Sequence, residues 1–194
     1  NYLQSMLVQF VFFGAYFIGS VVYFVVSYFK GDPINKIGYK NGMLLGLILA
    51  SVGCFLFFPA AGYASYGLFL SALFILGLGF TLLQIAANPY VSLLGKPEGA
   101  SSRLNLSQAF NSLGTTIAPI VGGFLIFEFF AVNGKITAEA TEIPYVIFTG
   151  IFLLLAALLY KIKLPDFKSD EAAEKSLGAL KFPQLKLGIF AIFF

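Results

Sequence analysis

Apolar positions along this chain are not scattered at helical or alternating intervals but gathered into long blocks separated by short polar clusters. A helix rises about 1.5 Å per residue, so roughly 20 mostly apolar residues cross the hydrocarbon core of a bilayer. Five blocks meet that length or approach it, at 6–29, 41–60, 66–94, 104–130 and 145–160, and a sixth opens at 185 and is still apolar at 194. The last complete block is short and must draw residues from its flanks. The pattern predicts an all-α transmembrane fold: a bundle of five spans over 1–160, a polar cytoplasmic loop over 161–184, and the start of a second bundle over 185–194. The turn between the second and third spans, from Pro59 to Ser65, carries no charge. Within the long loop, 169–178 opens on serine and continues in good helix formers, which predicts a short surface helix.

Composition agrees with lipid rather than water as the main solvent. Charged residues are 11% of the 194 positions and hydrophobic ones 59%, against about 25% charged in an ordinary soluble domain. A net charge of +3 raises the question of nucleic acid. The cations, however, sit between apolar blocks and form no basic stripe interleaved with aromatics, so no nucleic-acid partner is expected. With no histidine and a single cysteine, Cys54, neither a disulfide nor a His/Cys metal cluster nor a His-based nucleophilic triad can be built. No metal and no cofactor are expected. A polytopic membrane enzyme would need a catalytic acid, base or metal set that these residues do not display.

Charge placement orients the bundle. Numbering the loops alternately, Lys30, Lys36, Lys40, Lys96, Arg103, Lys161, Lys163, Lys168, Lys175, Lys181 and Lys186 fall on one side and Lys135 alone on the other. The lysine-rich side is cytoplasmic by the positive-inside rule. Asn1 then lies outside with no signal peptide before it, and the chain reads as a fragment that lacks a preceding span and a second half.

The informative residues are the polar ones within the spans, because an unpaired amide in hydrocarbon costs several kcal/mol. Gln84 and Asn88 lie four apart on one helical face just before Pro89. In the fourth span, Asn105, Gln108, Asn111, Ser112, Thr115 and Thr116 recur at three- and four-residue intervals. By helical rise, Gln84 lies about 16 Å above Gly95 and Asn111 about 12 Å above Arg103, comparable depths for neighbouring antiparallel helices. One reading makes these amides interhelical glue, and it suits Gln9, alone in the first span. The two clusters read better as the lining of a cavity near the midplane, where transporters hold substrate. Amides and hydroxyls both donate and accept, as sugar hydroxyls do. No span carries a carboxylate near its centre, and Glu128 belongs to the outer end of the fourth.

Two motifs, Gln84-Ile-Ala-Ala-Asn-Pro-Tyr90 and Arg103-Leu-Asn-Leu-Ser-Gln-Ala-Phe-Asn-Ser-Leu-Gly114, resemble the fucose/galactose/glucose symporter family of the major facilitator superfamily. The loop Gly31-Asp-Pro-Ile-Asn-Lys-Ile-Gly-Tyr-Lys40 is similar to the superfamily signature between its second and third helices, with Gly31, Lys36, Gly38 and Lys40 matching and Asn35 standing where an acid is usual. The resemblance implies that the spans are the family's second to sixth helices and the start of the seventh. It also implies sugar contacts from Gln84, Asn88, Gln108 and Asn111 supported by Asn105, and gating by the loop bearing Gly31, Asn35, Lys36, Gly38 and Lys40. Glutamine at 84, where the fucose branch has a glutamate, resembles the glucose/galactose branch. The expected function is secondary active transport of a hexose across the bacterial inner membrane by alternating access, coupled to a proton or sodium ion. A non-transporting sensor or scaffold of the same fold, or a membrane enzyme, are the alternatives.

Overall fold

The computed structural model describes residues 2–129, 141–167 and 182–193. Among them every regular element is helical: α1 (Tyr2–Lys30), the short α2 (Pro33–Ile37), α3 (Tyr39–Gly62), α4 (Tyr66–Leu93), a 3-10 turn (Pro97–Gly99), α5 (Ala100–Gly123) running into a π-helical segment (Phe124–Phe129), α6 (Glu142–Lys161) and α7 (Pro183–Phe193). Four of these, α1, α3, α4 and α6, are long and apolar enough to cross a membrane. The helix α5 matches the expected fourth span in length, but its stripe of amides and hydroxyls leaves it outside that set.

The helix pair α3 and α4 forms the centre, and what brings them together is the absence of side chains. A Cβ added at Gly46 would lie 2.8 Å from the Leu83 backbone nitrogen, and one at Gly53 2.5 Å from that of Leu76. Small residues let backbones approach where lipid gives helices no hydrophobic reason to associate, leaving dispersion and hydrogen bonds to hold them. Ala50, Cys54, Phe57, Ala72 and Leu76 fill this seam and are all buried. The helix α6 closes over it, with Tyr145 stacked on Phe57 at 3.8 Å between ring centroids and 10° between planes. On the other flank α1 reaches α4 through a second small-residue contact, where a Cβ on Gly77 would meet the Ala15 methyl at 2.7 Å. Away from that contact α1 presents rings such as Phe17, 72% exposed, a surface suited to acyl chains and not to water.

Helix boundaries depart from the apolar blocks in ways the local chemistry explains. The expected turn from Pro59 is a correction: α3 continues through Pro59 to Gly62, and the turn proper is Tyr63–Ser65. Near a helix end proline removes only one amide donor, and here its carbonyl still accepts from Tyr63 at 3.0 Å. Ala64 takes a left-handed φ of 47° to end the helix, and the Ser65 hydroxyl caps α4 by accepting from the Leu68 amide. The block 145–160 does borrow from its flanks, since α6 starts at Glu142 and ends at Lys161. The loop 31–40 holds a helix that the apolar pattern does not predict. The surface helix expected at 169–178, together with Lys135, Glu139, Lys168, Lys175 and Lys181, lies outside the described residues.

Candidate functional site

The amides of the two clusters meet across a cleft between α1, α4 and α5. A cavity of about 710 Å³ is lined by Gln84 and Leu83 of α4, Asn111 and Thr115 of α5, and the rings of Phe12, Phe13, Tyr16 and Phe80. Phe12 stands edge-on to Tyr16 and Phe80, with centroids 5.4 and 6.4 Å apart, so this wall is a fixed aromatic cluster. One side of the cleft is therefore apolar and rigid, and the other offers amide donors and acceptors.

A second opening of about 450 Å³ shares Gln84 and adds Asn88, Ile85 and Pro89 of α4 with Ser20 and Tyr23 of α1. Pro89 has no amide hydrogen, which leaves the Ile85 carbonyl without its intrahelical donor and adds a backbone acceptor beside the two amides. Pro119 does the same for the Thr115 carbonyl in α5. The hydroxyls, by contrast, are already engaged as donors: Thr115 bonds to the Asn111 carbonyl and Thr116 to that of Ser112, each at 3.0 Å. Side-chain donors toward a bound molecule must then come mainly from Gln84, Asn88 and Asn111.

Of the five residues expected to contact substrate, the structure brings Gln84, Asn88 and Asn111 to these openings. Asn105 and Gln108 line neither, and stand exposed on α5 between Asn111 and the Arg103 end. Gln9 is likewise exposed and lines neither. The pattern reading missed the contribution of α1. Ser20 and Tyr23 are one turn apart in an otherwise apolar span, a polar pair that was visible in the sequence, whereas nothing in the pattern separates Phe12 and Tyr16 from rings that face outward.

At the lysine-rich end, cations close helix C-termini, where unpaired carbonyls and the helix dipole favour positive charge. Lys40 Nζ donates to the carbonyls of Tyr160 at 2.8 Å and Ile162 at 2.7 Å, over the end of α6. Lys36 donates to the Lys30 carbonyl at the end of α1. The Arg103 guanidinium donates to the Ser92 carbonyl at 2.7 Å, Val91 at 3.2 Å and Lys96 at 3.1 Å, closing α4. Gly31 and Gly38 hold φ values of 80° and 85°, which lets the five-residue α2 fold back between α1 and α3. Its Ile34 is buried and fills a socket that exists because residue 42 is glycine: a Cβ there would strike the Ile34 side chain at 2.5 Å and Ala86 at 3.1 Å. Asn35 is half-buried and Asp32, not residue 35, supplies the acid of the loop, accepting from the Ile34 amide at 2.9 Å and from the Tyr23 hydroxyl.

A bundle of apolar helices with amides along one cleft and one end fastened by lysines defines a multi-pass membrane protein. The chain belongs to the Major Facilitator Superfamily, whose family model matches residues 3–194. It is 50% identical over its whole length to a glucose/galactose transporter of Brucella abortus, covering 46% of that protein, and 44% identical to a putative glucose/galactose transporter of Helicobacter pylori over 98% of this chain and 47% of the other. An L-fucose-proton symporter of Escherichia coli is 35% identical over 91% of this chain and 42% of its own length. Among solved structures, the Major Facilitator Superfamily transporter FucP in the outward conformation superposes with a TM-score of 0.73 at 31% identity, over 95% of this chain and 47% of that one. The chain spans about half the length of the curated relatives it matches. These likenesses are to transporters, which sets the membrane-enzyme alternative aside.

Proposed function

We propose that this chain forms part of a secondary transporter that carries a hexose across the bacterial inner membrane by alternating access, in symport with a cation. The observation that carries the reading is the meeting of Gln84 and Asn111, from two helices, across one cleft of about 710 Å³. Two carboxamides lining one cleft match the mixed donor and acceptor surface of a sugar ring, and the aromatic wall suits its C–H face. The glucose/galactose transporters at 50% and 44% identity favour those hexoses, and the more distant L-fucose-proton symporter favours a proton over sodium. Gln84, Asn88 and Asn111 would hold the sugar, with Asn105 and Gln108 reached in another state of the cycle. Gln84 does not titrate, and no carboxylate is among the described residues lining the two openings. The proton-carrying group then belongs outside this cleft.

Gln84→Ala and Asn111→Ala, each in the protein expressed from its complete gene, should lower uptake of the transported hexose at least about fivefold. A lost hydrogen bond that leaves a polar partner unsatisfied costs about 1–3 kcal/mol. Membrane insertion should be unchanged. Undiminished uptake of glucose, galactose and fucose in both variants would sink the assignment.

A further inference from the structure

One side chain belongs both to the amide-lined opening and to the loop that fastens the cytoplasmic end. The Tyr23 ring lines the opening with Ser20, Gln84 and Asn88, and its hydroxyl donates to Asp32 Oδ1. Asp32 is not a passive acceptor. It is the N-cap of α2, and the same oxygen holds the Ile34 amide at 2.9 Å. The helix it caps places Lys36 on the end of α1, and Lys40, two residues past its Gly38 cap in the first turn of α3, closes the end of α6. Ile34, plugged against Ala86, seats α2 on the stretch of α4 that carries Gln84 and Asn88. A single phenol thus separates the candidate substrate opening from the caps of two helices.

We propose that the Tyr23–Asp32 hydrogen bond is a substrate-sensitive latch that sets the position of the 31–40 loop. A sugar hydroxyl entering the opening competes for the Tyr23 hydroxyl. When the phenol turns to the sugar, Asp32 loses a donor, α2 loosens at its capped end, and the lysine caps on α1 and α6 are released together. A ligand can shift such an equilibrium only by binding its two states differently. Here the difference is the bond that Tyr23 makes either to Asp32 or to sugar. The inference rests on the transport reading; in it Tyr23 touches the sugar, and Asp32 has the positioning role in gating.

The test uses Tyr23→Phe, which keeps the ring and removes the hydroxyl, and Asp32→Ala, which removes the acceptor, in the protein expressed from its complete gene. Each should lower the maximal rate of net uptake by at least about fivefold, the lower end of ordinary coupling between sites. The sugar dissociation constant measured by calorimetry should move less than about twofold in Tyr23→Phe, which loses both of the competing bonds, and should not weaken in Asp32→Ala, which frees the phenol. The double variant should be no slower than Asp32→Ala alone, because Tyr23→Phe then has no further latch bond to remove. A cysteine at the exposed Ile37 reports the loop: sugar should raise its maleimide labelling in the parent and leave it unchanged in Tyr23→Phe. If Tyr23→Phe transports at the parental rate, if the two losses add, or if labelling still responds to sugar, the latch is wrong. A parent that moves none of the three hexoses overturns the transport reading and the latch with it, whereas a transporting parent with an unaffected Tyr23→Phe overturns the latch alone.

Discussion

Single residues in this bundle matter most where they are smallest. Gly53 and Gly46 have no room for a methyl group because the α4 backbone occupies the space, whereas nothing lies within 4 Å of the equivalent point at Gly14, Gly114 or Gly150. Overpacking of this kind costs about 1–3 kcal/mol when the neighbour is a side chain, and a backbone neighbour can yield only by parting the helices. Gly53→Ala should therefore lower the detergent melting temperature of the protein by several degrees. Gly14→Ala should leave it unchanged or raise it slightly, since alanine is the better helix former by about 1 kcal/mol. Equal melting temperatures for the two variants would contradict the α3–α4 packing. From sequence alone these glycines are alike, all sitting within apolar spans. What separates Gly53 from Gly14 is which helix stands opposite, and a one-dimensional pattern holds no record of that.

Elements, in contrast, were largely legible, and their failures are instructive. Length and apolarity locate α1, α3, α4 and α6 because the bilayer imposes one length on every span. The polar stripe that makes α5 a candidate for the site is what removes it from the helices that qualify by hydropathy, so the same residues that suggest a role obscure the span. The helix α2 escaped because five residues are too few for periodicity to register, although Asp32-Pro33 is a good start signal in the sequence. The cleft was legible in part: four-residue spacing found Gln84, Asn88 and Asn111, but the α1 wall depends on which face α1 turns to α4. The cap on α4 makes a further prediction. Arg103 satisfies three carbonyls with a planar fork, one reaching across Gly95, whose φ of 102° folds the turn under the guanidinium. Arg103→Lys keeps the charge and loses the fork. Amide hydrogen exchange over residues 94–100 should quicken by roughly tenfold, for a loss of about 1.5 kcal/mol of charge-assisted bonding. Unchanged exchange in Arg103→Lys would reduce the contact to a simple charge at a helix end.

For the whole molecule, the question is whether the ends distinguished by charge are the ends distinguished by fold. They coincide. Lys30, Lys36, Lys40, Arg103 and Lys161 gather where α1, α4 and α6 finish, and residues 162–167 stay at this end, with Tyr90 Oη donating to the Pro165 carbonyl at 3.2 Å and Phe167 set edge-on to the Tyr90 ring. At the other end the link between α3 and α4 is neutral: the exposed turn at Tyr63 and Ala64 carries no charge, and beside it Tyr66 Oη donates to the Gln4 carbonyl at 2.7 Å. The positive-inside rule assigns the first end to the cytoplasm, and the structure supplies the cations with a second role there as helix caps. The two roles reinforce one another, since a lysine that fastens a helix end is also one that resists translocation. Cys54 is buried between α3 and α4 and gives a quiet background for labelling. A cysteine at Ala64 should then react with a membrane-impermeant maleimide in intact cells. A cysteine at Lys96 should react only after the membrane is permeabilised. The reverse pattern would invert the bundle, and with it the assignment of the 31–40 loop to the cytoplasm.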